Sequence, residues 1–211
     1  MRLSLDAITL RAGGRLLFAP LSLTVTPGQP TTLMGPSGSG KSSLLAYICG
    51  TLAPGLHGAG IVRLDSQEIT RLAPERRSVG ILFQDDLLFP HLSVGANLGF
   101  GLKPGPGRRA RIEAALVEAE LPGLGDRDPA SLSGGQRARI SLMRCLLSEP
   151  RALLLDEPFS RLDAHLRQRF RRFVFDHAAA RNLPVLLVTH DAGDAEAAGG
   201  PVQILLSPPA S

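Results

Sequence analysis

Nine residues constrain this chain more than any others: Gly35-Pro36-Ser37-Gly38-Ser39-Gly40-Lys41-Ser42-Ser43. They follow a short apolar strand candidate, Thr31 to Met34, and precede a helix candidate, Leu44 to Cys49. The pattern G-x-x-x-x-G-K-S is a phosphate-binding loop. A triphosphate needs many N–H donors at short range, and glycine lets the backbone come close and take positive φ. The helix that follows turns the positive end of its dipole on the anion. Lys41 is expected to reach the β- and γ-phosphates, and the Ser42 hydroxyl to bind Mg²⁺. The loop predicts a bound nucleotide and leaves open what its energy is used for.

A length of 211 residues accommodates one large domain, or a core with an inserted lobe, and 44% hydrophobic residues suffice for a buried interior. The net charge of +4 does not choose between nucleic acid, a membrane surface and neither. Cys49 and Cys145 fall in apolar helix candidates without metal-ligand spacing, and read as small core residues of a reducing compartment. Met1 to Leu10 alternates like a strand and has no signal-peptide character. No apolar run approaches the ~18 residues of a membrane span. The expectation is a soluble, cytoplasmic protein that reaches a membrane only through a partner.

Taken in order, Leu3 to Leu10, Leu16 to Phe18 and Leu21 to Val25 read as strands separated by turns at Gly13-Gly14 and Pro20. Ile61 to Asp65 is a further strand, so the start is antiparallel β around the first parallel strand. Val79 to Phe83 is a buried strand ending at Gln84. Asp85 to Ala110 carries loop chemistry, and Arg111 to Leu121 an amphipathic helix with Ile112, Ala115, Leu116 and Ala119 on one face. The basic cluster Gly105 to Arg111 reads as a solvated loop. Arg137 to Leu147 is a helix, Ala152 to Asp156 a buried strand, and Asp163 to Ala180 an Arg-rich helix. Val185 to Thr189 and Val202 to Leu206 are strands, and Ser207 to Ser211 a tail. Strand–helix alternation in this half implies a parallel sheet covered by helices.

A nucleoside triphosphatase needs an acid for Mg²⁺, a group to activate water and a sensor of the γ-phosphate. Asp156 ends an apolar strand and is assigned to the Mg²⁺ shell. Glu157 follows it as candidate general base. Gln84, also at a strand end, is a candidate metal ligand and γ-phosphate-reading hinge. His190 ends another strand, where a neutral imidazole can donate to the γ-phosphate. Ser133-Gly134-Gly135-Gln136 combines a hydroxyl, two glycines and a helix N-terminus into a second anion-binding device. Two such devices in one chain hint that the second serves the nucleotide of another copy.

On these motifs the chain resembles the ATP-binding subunits of ABC transporters. Gly35 to Ser42 looks like Walker A, Gln84 the Q-loop, Leu132 to Gln136 the ABC signature, Leu153 to Glu157 Walker B, Ser160 to Asp163 the D-loop and His190 the switch histidine. The resemblance implies an α/β P-loop NTPase fold of ABC ATPase type. In that fold a RecA-like parallel sheet core carries an N-terminal antiparallel β subdomain and an inserted α-helical subdomain. Residues 1–211 then form one ATP-binding domain. About 1–84 and 150–211 make the catalytic core, and about 85–149 the helical signature subdomain.

The resemblance further implies ATP and Mg²⁺ as ligands, and a homodimer that sandwiches two nucleotides between Walker A and signature. It implies transmembrane permease subunits docking at the Q-loop groove, a solute-binding protein in the system, no nucleic acid, and a place on the inner face of the cell membrane. Leu88 to Val94 through Phe100-Gly101-Leu102 is similar to a stretch found in bacterial importers. Three departures stand out. The usual aromatic shelf for adenine is missing near Ala12-Gly13-Gly14, with Phe18 a possible substitute. The small D-loop residue is Arg161. The sequence also ends soon after the last strand, and a C-terminal regulatory domain like that of many sugar and metal importers is not expected. An export or lipoprotein-release ATPase is the alternative reading. A soluble ABC ATPase acting on nucleic acid or ribosomes is a further one.

Overall fold

Alternating apolar side chains at the start fold as β1 (Leu3–Ala12), which buries Leu3, Leu5, Ile8 and Leu10. In this computed structural model, residues 1–102 and 104–208 are described; the last three residues of the expected tail, Pro209 to Ser211, lie outside them. Antiparallel to β1 run β2 (Arg15–Leu16), β3 (Leu21–Val25) and β5 (Leu56–Leu64), and β6 (Gln67–Glu68) pairs with β5. Two sequence expectations change here. Leu17 and Phe18 leave the strand after Leu16. β5 begins at Leu56, five residues before the expected start at Ile61. Its N-terminal half was hidden by glycines that look like turn residues. Gly60 takes φ +104° opposite a bulge in β1, where a Cβ would stand 2.7 Å from the Ala7 carbonyl oxygen. Only glycine fits that crossing.

A second sheet contains β4 (Thr31–Met34), β7 (Val79–Leu82), β8 (Ala152–Asp156), β9 (Val185–Thr189) and β10 (Val202–Ile204), in the order β10-β4-β9-β8-β7. The β10/β4, β4/β9 and β8/β9 pairs are parallel. β8 and β9 are continuous apolar runs because both of their faces are covered. In register, Met34 pairs with Thr189 and Asp156 with Val188, so three neighbouring strands end on one edge. Helix α1 (Lys41–Cys49) buries Leu44, Leu45, Ile48 and Cys49 against the apolar residues of both sheets in a single core. Burial pushes the Cys49 thiol up to about 11, which suits an inert packing residue.

The chain divides into two compact units: residues 1–81, 151–157 and 175 onward, and residues 82–150 with 158–174. The sheets belong to the first. The second holds α2 (Val94–Gly99), α3 (Arg108–Glu118), α4 (Gly134–Leu147) and α5 (Ala164–Ala180) as far as Val174. α2 falls inside the stretch expected as loop. Ser93 caps it, accepting from the Ala96 N–H at 3.2 Å, and buried Asn97 donates to the carbonyls of Phe89, Leu92 and Ser93. The expected solvated loop at Arg108 to Arg111 is instead the first turn of α3, with Arg108 donating to the Gly99 carbonyl at 2.6 Å. A short helix that the sequence reading did not include, α6 (Ala192–Ala198), follows β9.

Candidate nucleotide-binding and hydrolysis site

Residues 35–40 bridge the end of β4 and the start of α1, so an apolar strand delivers the loop and a helix N-terminus closes it. Gly40 takes φ +94°, and a Cβ there would stand 3.1 Å from the Phe18 ring. Phe18 is fully buried behind the loop, which removes it as an adenine shelf. An aromatic ring serves a base only where its face is accessible, and this one is packing. Lys41 is 5% exposed, and its ammonium donates to the carbonyls of Gly35 at 2.8 Å and Pro36 at 3.0 Å. Among the described residues Ser39 Oγ is buried without a protein partner. An orphaned buried hydroxyl costs about 1–3 kcal/mol, and a phosphate oxygen is the acceptor such a loop is shaped to receive.

The strand ends bring three more predicted residues to this loop. Ser42 Oγ donates to Asp156 Oδ1 at 2.9 Å, and Lys41 Nζ lies 3.6 Å from Glu157 Oε1. His190 Nδ1 lies 3.0 Å from Glu157 Oε2. Burial pushes the Asp156 carboxyl above its usual range; the Ser42 hydroxyl pulls it down, Glu157 raises it and Lys41 lowers it. Glu157 takes φ +46° and donates its N–H to the Val188 carbonyl at 3.0 Å. A non-glycine residue in that region carries strain of order 1–3 kcal/mol and persists where its surroundings hold it. Here a backbone bond, an ammonium and an imidazole hold it.

The Ser42–Asp156 pair suits a hard cation. Magnesium keeps several waters and takes one or two protein oxygens beside phosphate oxygens, so it needs no carboxylate cage.

The other predicted residues belong to the second unit. Gln84 is exposed just after β7. The residues after it are tied down: Asp85 pairs with Arg161, and Asp86 with Arg137 at 3.2 Å. Ser141 donates to the Asp86 carbonyl at 2.8 Å, and Arg144 to the Leu87 carbonyl at 2.9 Å. Ser133 and Gln136 form a capping box on α4. Ser133 Oγ accepts from the Gln136 N–H at 3.3 Å, and Gln136 Oε1 accepts from the Ser133 N–H at 2.8 Å. Gly134 and Gly135 then open the helix.

Sequence reasoning missed Arg77. Its guanidinium, 7% exposed, donates to the carbonyls of Leu72, Tyr47, Ile48 and Thr70. Two of these lie in the last turn of α1, so a buried cation sits at the negative end of the phosphate-loop helix. An Arg-Arg pair before a strand gives no local sign of this.

Comparisons with known proteins agree with the geometry. The ABC transporter family profile matches residues 18–160. The chain is 47% identical over 193 residues to the uncharacterized ABC transporter ATP-binding protein YnjD of Escherichia coli (strain K12), covering 90% of this chain and 89% of that protein. It is 41% identical over 211 residues to the Fe(3+) ions import ATP-binding protein FbpC 3 of Rhodococcus jostii (strain RHA1), covering 96% of this chain and 59% of that protein. It is 42% identical over 178 residues to the thiamine import ATP-binding protein ThiQ of Escherichia coli (strain UTI89 / UPEC), covering 82% of this chain and 75% of that protein. The chain thus spans nearly all of the first relative and about three fifths of the second.

Proposed function

This chain belongs to the ABC transporter family of ATP-binding proteins, and from that premise we propose that it hydrolyses ATP to energise a binding-protein-dependent importer of a small solute. The observation that carries the reading is the convergence of Lys41, Ser42, Asp156, Glu157 and His190 within 3.6 Å links of one another. Residues 35–43 bind the phosphates through backbone N–H groups, Ser39 and Lys41. Ser42 and Asp156 hold Mg²⁺, with Gln84 assigned to the same shell on the resemblance alone. The ion, when bound, neutralises charge on the β- and γ-phosphates. Glu157 orients the attacking water and takes its proton. His190 steadies Glu157 through Nδ1 and, with a proton on each ring nitrogen, also donates to the γ-phosphate from Nε2.

Import is favoured because relatives at 41% and 42% identity are named import ATP-binding proteins. Ser133 to Gln136 contacts the nucleotide of a second copy in a homodimer. Permease subunits supply the membrane path in this reading; among the described residues, no helix is long and apolar enough to cross a membrane. Exposed Phe83 and Leu87, at 42% and 53% and within three residues of Gln84 in the chain, support a docking surface there for those subunits.

Glu157→Gln tests the chemistry. It keeps shape and removes the base, so turnover is expected to fall at least about 100-fold while ATP affinity stays near native. Retained turnover would remove Glu157 from its role.

A further inference from the structure

Thr189 and Asp194 are 1% and 2% exposed, and the scheme above uses neither. Thr189 Oγ1 donates to Asp194 Oδ2 at 2.7 Å and accepts from the Asp191 N–H at 3.0 Å. Asp191 Oδ1 in turn accepts from the N–H groups of Gly193 at 2.7 Å and Asp194 at 3.2 Å. Four hydrogen bonds therefore clamp the backbone on both sides of His190. The imidazole itself is 54% exposed and meets Glu157 at 3.0 Å. On its other side, Thr189 is in register with Met34, the last residue before the phosphate-binding loop.

A buried carboxylate is a costly way to fill space. An apolar pair of the same volume would pack there without desolvating an ionisable group. The hydroxyl and carboxylate do what an apolar pair cannot, which is to fix a particular turn.

We propose that Thr189 and Asp194 are positioning residues that aim His190 at Glu157. This rests on the reading of His190 and Glu157 given above. Thr189→Val removes the hydroxyl with little change of shape, and Thr189→Ser retains it. Asp194→Leu removes the acceptor, and Asp194→Asn retains one. Turnover, KM for MgATP and affinity for a fluorescent ATP analogue are measured for each, together with the ¹⁵N-imidazole signal of His190, identified by its loss in His190→Asn.

Thr189→Val and Asp194→Leu are expected to lower kcat about tenfold, with KM and affinity within about twofold of native, as a displaced reacting group predicts. The His190 signal shifts or broadens while the other histidine signals stay put. Thr189→Ser and Asp194→Asn recover most of the turnover. Native kcat in Thr189→Val overturns the proposal. So does an unmoved His190 signal, or a loss of kcat and affinity together. His190→Asn separates the two readings. If it keeps native turnover, the role of His190 itself fails. If it is inactive while Thr189→Val is native, only the relay falls.

Discussion

At the scale of single residues, the role proposed for Asp156 sets function against stability. Burial holds its carboxyl above the usual range despite the Ser42 hydrogen bond. A carboxyl whose folded-state pKa exceeds its unfolded one contributes stability that is present below the unfolded pKa. That contribution is lost as pH rises through the folded pKa. At neutral pH burial of this carboxyl therefore weighs against the fold. Asp156→Asn is expected to melt higher than the native protein at about pH 7 without nucleotide or magnesium, and to lose Mg²⁺-dependent turnover. The difference should close toward about pH 3, where both forms are neutral. Equal melting temperatures at neutral pH would contradict this account. Asp156 was legible in the sequence because an apolar run of strand length ends on it. The φ of +46° at Glu157 was not, since that strain is imposed by Val188, Lys41 and His190, all distant in sequence.

Among the elements, α1 and α4 both carry N-termini proposed to face a nucleotide, and each is secured differently. α4 is secured locally, by the Ser133–Gln136 box three residues apart. Such a box is readable from sequence once the helix is recognised. α1 has no side-chain cap at its start, and at its end the Arg77 guanidinium serves its last turn. Arg77→Met is expected to cost about 3 kcal/mol by leaving buried carbonyls without donors. A urea titration would read this as a lower midpoint with unchanged slope. An unchanged midpoint would mean that water replaces the guanidinium at no cost. α2 escaped the sequence reading for a related reason. Its six residues carry two glycines, and it is held by Asn97 reaching back to Phe89 and Leu92, a tertiary contact rather than a propensity.

For the whole molecule, the proposed dimer makes the sharpest prediction. Glu157→Gln with ATP should double in mass by light scattering, and Ser133→Arg introduced beside it should keep the monomer mass while still binding ATP. A doubled mass in the double variant would count against shared sites. Excess ATP should also raise the melting temperature, by about 2.7 kcal/mol of stabilisation at a hundred times the dissociation constant. The sequence by itself determined the candidate site residues: the phosphate loop, the Asp156-Glu157 pair and the Ser133 motif are contiguous, and local backbone requirements dictate their residues. It also determined the strands β8 and β9, whose nearly continuous apolar runs fit burial on both faces. The tertiary structure alone decided which strand ends lie side by side, because the order β10-β4-β9-β8-β7 is set by packing between residues far apart in the chain. It also turned Phe18 from a candidate shelf into core, gave Arg77 its place under α1, and set Thr189 and Asp194 behind His190. Which partner a buried side chain meets through space carries no signature in the residues next to it.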